Sequence, residues 1–127
     1  MALTLTFMTP AIPYDIDLLA RPVTYVGYEF RSTDGKSHEV SIYFDAAAEI
    51  AVNEPRQQVE WKRESVSGLD VLRVGSKDQP ILAKKGDDIR IDWGYLYIAA
   101  PRAQSSASEI VPPIAARRDF ASGGVLA

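Results

Sequence analysis

Short runs in which apolar and polar residues alternate with period two recur along most of this chain, and that rhythm constrains the fold more than any other feature. Leu3, Leu5 and Phe7 alternate with Thr4, Thr6 and Met8. Val26, Tyr28 and Phe30 share one face of a run from Val23 to Arg31. Val59 and Trp61 alternate with Glu60 and Lys62, and Leu72 and Val74 stand in register between Leu69 and Gly75. Period two is the side-chain geometry of a β-strand. The runs are punctuated by turn chemistry: Pro10 and Pro13, Asp34-Gly35, Asn53-Glu-Pro55 and Ser67-Gly68. Prolines end a ladder, and Asp-Gly between two strand patterns is a hairpin signal. Parallel sheets need crossover helices, and no convincing helical period precedes Pro101. The expectation is an all-β fold, an antiparallel β-sandwich over residues 1–101, followed by an irregular or partly helical tail over 102–127.

Two stretches carry particular weight. In Ile89 to Pro101 the odd positions Ile89, Ile91, Trp93, Tyr95 and Tyr97 share one face, while Arg90 and Asp92 point away. The pattern predicts one long strand whose odd face is the central packing surface of the sandwich. From His38 to Asn53, Val40, Ile42 and Phe44 alternate with Glu39, Ser41, Tyr43 and Asp45, and Ile50 and Val52 resume the same parity after Ala46-Ala47-Ala48. This predicts a single bent or bulged strand, although alanine is a poor strand residue and a good helix one. Residues Tyr14 to Pro22 predict a connection with one helical turn. Pro112-Pro113 breaks the tail, and Ile114 to Phe120 is predicted to add a helical turn or two.

Composition removes several function classes. The 127 residues fit one domain and can bury a core without staples. Cysteine is absent, so no disulfide framework or thiolate chemistry is available, which leaves the compartment open. A net charge of −3 with both signs scattered argues against a nucleic-acid surface and a polybasic membrane anchor. No apolar run approaches the ~20 residues of a membrane span. The start, Met1 to Met8, reads as a strand and not as a signal peptide, as expected of a segment of a longer protein.

Candidate chemistry is sparse. His38 is the single histidine, at a predicted strand start with no nucleophile signature nearby, and reads as a structural or surface residue. One histidine and no cysteine leave zinc without a ligand set. Asp15 and Asp17 lie in a loop without a calcium-loop pattern, and Asp87-Asp88 lies in a charged turn. Phosphate-binding glycine loops and nucleophile elbows are missing. No catalytic residue, metal ligand or cofactor is therefore assigned. Asp45 and Asp92 are different, because each sits in an apolar run beside an aromatic, Phe44 and Trp93. A carboxylate next to an exposed ring is suited to sugars: the acid accepts hydroxyl hydrogen bonds while the ring stacks on the sugar face. The candidate ligand-binding residues are Asp92, Trp93, Tyr95, Asp45 and Trp61. The competing reading makes the two acids solvent-side residues of half-buried strands, and makes Trp61 a core or domain-interface residue.

Five stretches together resemble the N-terminal β-sandwich domain of the glutaminase A family. They are Leu3-Thr-Leu-Thr-Phe-Met-Thr-Pro10, Leu18-Leu-Ala-Arg-Pro-Val-Thr-Tyr25, Ser32-Thr-Asp-Gly-Lys36, Val40-Ser-Ile-Tyr-Phe-Asp45 and Asp92-Trp-Gly-Tyr-Leu-Tyr-Ile-Ala-Ala-Pro101. Beyond Pro101 the similarity thins to the region of Arg118-Asp-Phe120 and Gly123-Gly124. The resemblance implies a longer parent chain, secreted or periplasmic, in which this sandwich precedes a helical-barrel domain that carries the catalytic groups for converting glutamine to glutamate and ammonia. No catalytic residue transfers to this chain. The expected role is a non-catalytic segment that supports or flanks that catalytic domain; the alternative is an autonomous carbohydrate-binding or adhesion-type sandwich. An excised sandwich leaves an exposed edge, so a dimer of the fragment is expected through it.

Overall fold

The computed structural model describes residues 1–87, 91–104 and 107–123. The start of the predicted long strand at Ile89 and Arg90, and Asp88 of the paired acids, lie outside the described residues. The chain forms two units, Met1–Ile42 and Tyr43–Ala127. The fold class is the expected one, all-β, with an antiparallel sheet in each unit and a short helical segment near the C-terminus.

The first unit is a two-stranded ribbon. Strand β1 (Ala2–Met8) pairs antiparallel with β2 (Tyr25–Arg31). The register sets Leu3 opposite Phe30, Leu5 opposite Tyr28 and Phe7 opposite Val26, which gathers six apolar or aromatic residues on one face. Thr4, Glu29, Thr6 and Gly27 fall on the other. Leu3, Leu5 and Phe7 remain about half exposed or more. Beyond Pro10 and Pro13 the predicted single turn of helix forms as α1 (Ile16–Leu19), started by Asp15, whose Oδ1 accepts from the Leu18 amide at 2.9 Å.

After β2 the Asp34-Gly35 turn forms as expected, with Gly35 at φ 72°. Asp34 Oδ1 accepts from the Lys36 amide at 3.1 Å and from Ser32 Oγ at 2.9 Å. No strand follows it. Residues 36–47 have no regular structure, and Ala48–Ala51 forms a 3₁₀ turn, so the predicted bent strand over His38–Asn53 is corrected. The alanines take their helical preference, and alternation alone supplies no backbone partner for a ladder.

The second unit holds the sheet β3–β4–β5: β3 (Val59–Val66), β4 (Leu69–Ser76) and β5 (Tyr95–Pro101), all antiparallel. Ser67 and Gly68 join β3 to β4 with φ of 49° and 81°, the two left-handed residues of a type I′ hairpin. Cross-strand partners share a face. Trp61, Val74 and Leu96 therefore lie on one side with Arg63, Leu72 and Ile98, while Gly75, Arg73, Tyr95 and Tyr97 lie on the other. This reverses the predicted parity of β5. Its covered residues are the even ones, Leu96, Ile98 and Ala100, whereas Tyr95 and Tyr97 are 40% and 57% exposed. Both faces of this strand are apolar enough to be buried. The phenol hydroxyls tolerate water, and the aliphatic side chains take the side shared with Leu72 and Val74. The strand also starts later than predicted, at Tyr95.

The ladder is extended past its end by the Arg102 amide, which donates to Gly68 O at 2.9 Å. Helix α2 (Pro113–Ala121) starts with proline in its first turn, where the missing amide hydrogen costs nothing. It is tied to the loop before the 3₁₀ turn. Arg117 grips Asp45 with two nitrogens at 2.7 and 3.1 Å, and the Phe120 ring lies 5.2 Å from that of Tyr43.

Candidate functional site

The polar centre of the second unit is Asp92, just before β5 and only 3% exposed. Three segments converge on it. Lys84 Nζ donates to Asp92 Oδ2 at 2.7 Å, and Gln57 Nε2 donates to the same oxygen at 3.1 Å. The hydroxyl of Ser76, the last residue of β4, donates to the Asp92 carbonyl. Gln57 is itself fixed, because its Oε1 accepts from the Asn53 and Glu54 amides at 2.7 and 2.8 Å. The Lys84 ammonium holds the Asp92 carboxyl below the usual carboxylate range against the opposing effect of burial, and Gln57 assists.

Gln79 completes the arrangement. Its Oε1 accepts from the Gly94 amide at 2.7 Å, and its Nε2 donates to Gly94 O at 3.1 Å and Ser76 O at 2.7 Å. One side-chain amide thus pairs with both backbone groups of Gly94, as a neighbouring strand would. Gly94 sits at φ 83°, open to glycine, and Gln79 is itself left-handed at φ 42°. Backbone strain at Gln79 is offset by the three bonds its side chain makes.

Beside this network lies a pocket of about 110 Å³ lined by Leu82, Lys84, Ile91, Asp92 and Trp93. Sites for small organic ligands run ~300–1,000 Å³, so this one holds a few waters at most. An acid lowered away from neutrality and committed to an ammonium is also a poor general base at neutral pH. The chemistry this arrangement performs is positioning: it fixes the entry into β5.

The other candidates are dispersed. Asp45 accepts from Arg117 and, at 3.0 Å, from the Tyr43 hydroxyl; those bonds, led by Arg117, lower its carboxyl and leave it little capacity for a ligand. Tyr95 lies under the Arg73 guanidinium at 4.4 Å and 6.2 Å from Tyr97. Trp61 is on the opposite face of the sheet from Tyr95 and is 59% exposed, so it is not a core residue. It opens on a second pocket of about 200 Å³, shared with Arg63, Leu72, Glu109, Ile110 and Val111. Of the five residues singled out from sequence, only Asp92 and Trp93 line one cavity. His38 Nε2 meets Asp34 Oδ1 at 2.9 Å, and that bond is the main reason the Asp34 carboxyl is lowered. Among the described residues no group of three His, Cys, Asp or Glu side chains is placed to hold a metal ion.

Lys84, Gln57, Gln79, Arg63 and Glu109 were not visible as site residues in the sequence. Gln57 lies 35 positions from Asp92, and no local pattern announces such a partner.

The sequence as a whole is similar to known proteins. Glutaminase A of Aspergillus oryzae is 25% identical over 122 residues, which take in 95% of this chain and 17% of that protein. The chain therefore spans about a sixth of the length of that relative. No solved structure matches. A model of the family described as "Domain of unknown function (DUF5127)" matches residues 1–127, the whole of the sequence, and the chain belongs to that family.

Proposed function

We propose that this chain is a non-catalytic N-terminal β-sandwich segment of a glutaminase-A-like hydrolase, and that it supports or flanks a catalytic helical domain elsewhere in the same parent chain. The observation that carries this reading is the similarity to Glutaminase A along nearly the whole chain. The state of the carboxylates supports it: Asp92 is closed off by Lys84 and Gln57, and Asp45 by Arg117 and Tyr43. The ribbon face of Leu3, Leu5 and Phe7 supplies apolar surface of the kind that meets another domain. Under this reading the parent protein is secreted or periplasmic, which fractionation of cells expressing the tagged parent chain checks.

Ammonia release from glutamine by the purified 127-residue chain is the direct test. The expected rate is that of buffer alone; turnover above it, abolished by no step that removes contaminating enzyme, overturns the proposal.

A further inference from the structure

We infer that the open pocket beside Trp61 is a carbohydrate subsite that takes one ring of a neutral oligosaccharide. A sugar ring presents two surfaces at once: an apolar face of C–H groups and an equatorial belt of hydroxyls that donate and accept. A matching site needs a broad apolar plane with hydrogen-bonding groups of both kinds at its rim. Trp61 supplies the plane. Its indole stands on the three-stranded sheet, 59% exposed, held on the same face as Val74 and Leu96. A large aromatic left this open gives up burial that it would gain in a packed core.

The rim is supplied by Arg63 and Glu109, which line the same pocket. Arg63 follows two positions after Trp61 on β3 and so shares its face. Among the described residues neither side chain makes a hydrogen bond or an ion pair within 4.0 Å; Arg63 has a longer-range attraction to Asp70, whose carboxylate is already bonded to Arg102 and Ser65. Opposite charges around one cavity that do not close on each other leave a donor and an acceptor available to a ligand between them. This is the contrast with Asp45 and Asp92, whose acceptor capacity is taken by Arg117 and Lys84. The volume of about 200 Å³ lies below the range for drug-sized ligands and suits a single ring with the rest of the chain in water. Binding is accordingly weak and stacking-driven. One guanidinium balanced by one carboxylate, on a chain of net charge −3, does not favour an anionic polymer.

The inference stands independently of the parent-domain reading and is tested on the same chain. Proton–nitrogen correlation spectra are recorded while cellotetraose, mannotetraose, chitotetraose and glutamine are titrated in separately. The two tryptophans give two indole signals, assigned with Trp93→Phe. The expected result is a saturable shift of the Trp61 indole with at least one of the oligosaccharides. That affinity should fall at least tenfold in Trp61→Ala and severalfold in Glu109→Gln and Arg63→Met, with the remaining amide signals unmoved to show that each variant is folded. Absence of a saturable shift with all three oligosaccharides overturns the inference. So does a response to glutamine alone, which would make the paired charges a zwitterion site, and so does unchanged affinity in Glu109→Gln and Arg63→Met.

Discussion

A β-carbon at Gly75 would stand 2.6 Å from Gly94 O and 2.8 Å from a ring carbon of Tyr95, its cross-strand partner. Neither can retreat cheaply: one is backbone bonded to Gln79, and the other is a ring beneath Arg73. Gly75→Ala is therefore an overpacking change, expected to cost about 1–3 kcal/mol, read as a lower urea midpoint with the slope unchanged. A midpoint equal to wild type would show that the Tyr95 ring is free to swing away. The same neighbourhood shows what residue-level reading of the sequence captures. Asp92 was legible as an unusual acid because it interrupts an apolar run beside Trp93. Its role was not, because the partners that define it, Lys84 and Gln57, are placed by turns whose course depends on the folded sheet.

Among the elements, the hairpin of β3 and β4 was legible in most detail, and β1, β2 and the two helical segments were legible as elements though not in their partners. β3 and β4 pair through a two-residue turn, and alternation with Ser67-Gly68 specifies both strands and their register. His38 to Asn53 alternates just as well but gains no ladder, and the parity of β5 was ambiguous because tyrosine satisfies either face. α2 is an element held mainly from its side. Asp45 is lowered by its bonds to Arg117 and Tyr43, and Arg117 is raised in return. A carboxyl whose folded value lies below the ordinary 3.8 stabilises fully above that ordinary value, and the contribution disappears as pH falls through the lower folded one. Helix α2 is thus expected to stay docked at neutral and mildly acidic pH and to loosen only in stronger acid. Hydrogen exchange of the amides from Arg117 to Ala121 checks this, with Asp45→Asn expected to speed exchange already at neutral pH. Equal protection in the variant would mean that the Tyr43–Phe120 contact suffices.

At the scale of the whole molecule, apolar surface left open is the dominant feature. The ribbon presents Leu3, Leu5, Phe7, Val26 and Tyr28, each more than 40% exposed, on one face. Among the described residues the sheet order β3–β4–β5 leaves β3 and β5 as edges. Surfaces and edges of this kind associate. The isolated chain is expected to sediment faster as its concentration rises from micromolar to near-millimolar, and Leu5→Thr combined with Phe7→Thr should reduce that dependence. A concentration-independent monomer would show that these surfaces do not attract one another. Gln79 adds a different consequence. It closes the approach to β5 with an amide that both donates and accepts, and the two ends of that amide are not interchangeable with those of an acid. Spontaneous deamidation would leave its size unchanged while turning the donor into a negative oxygen facing two carbonyls. Chemical age, and not only sequence, then sets how firmly this sheet is closed.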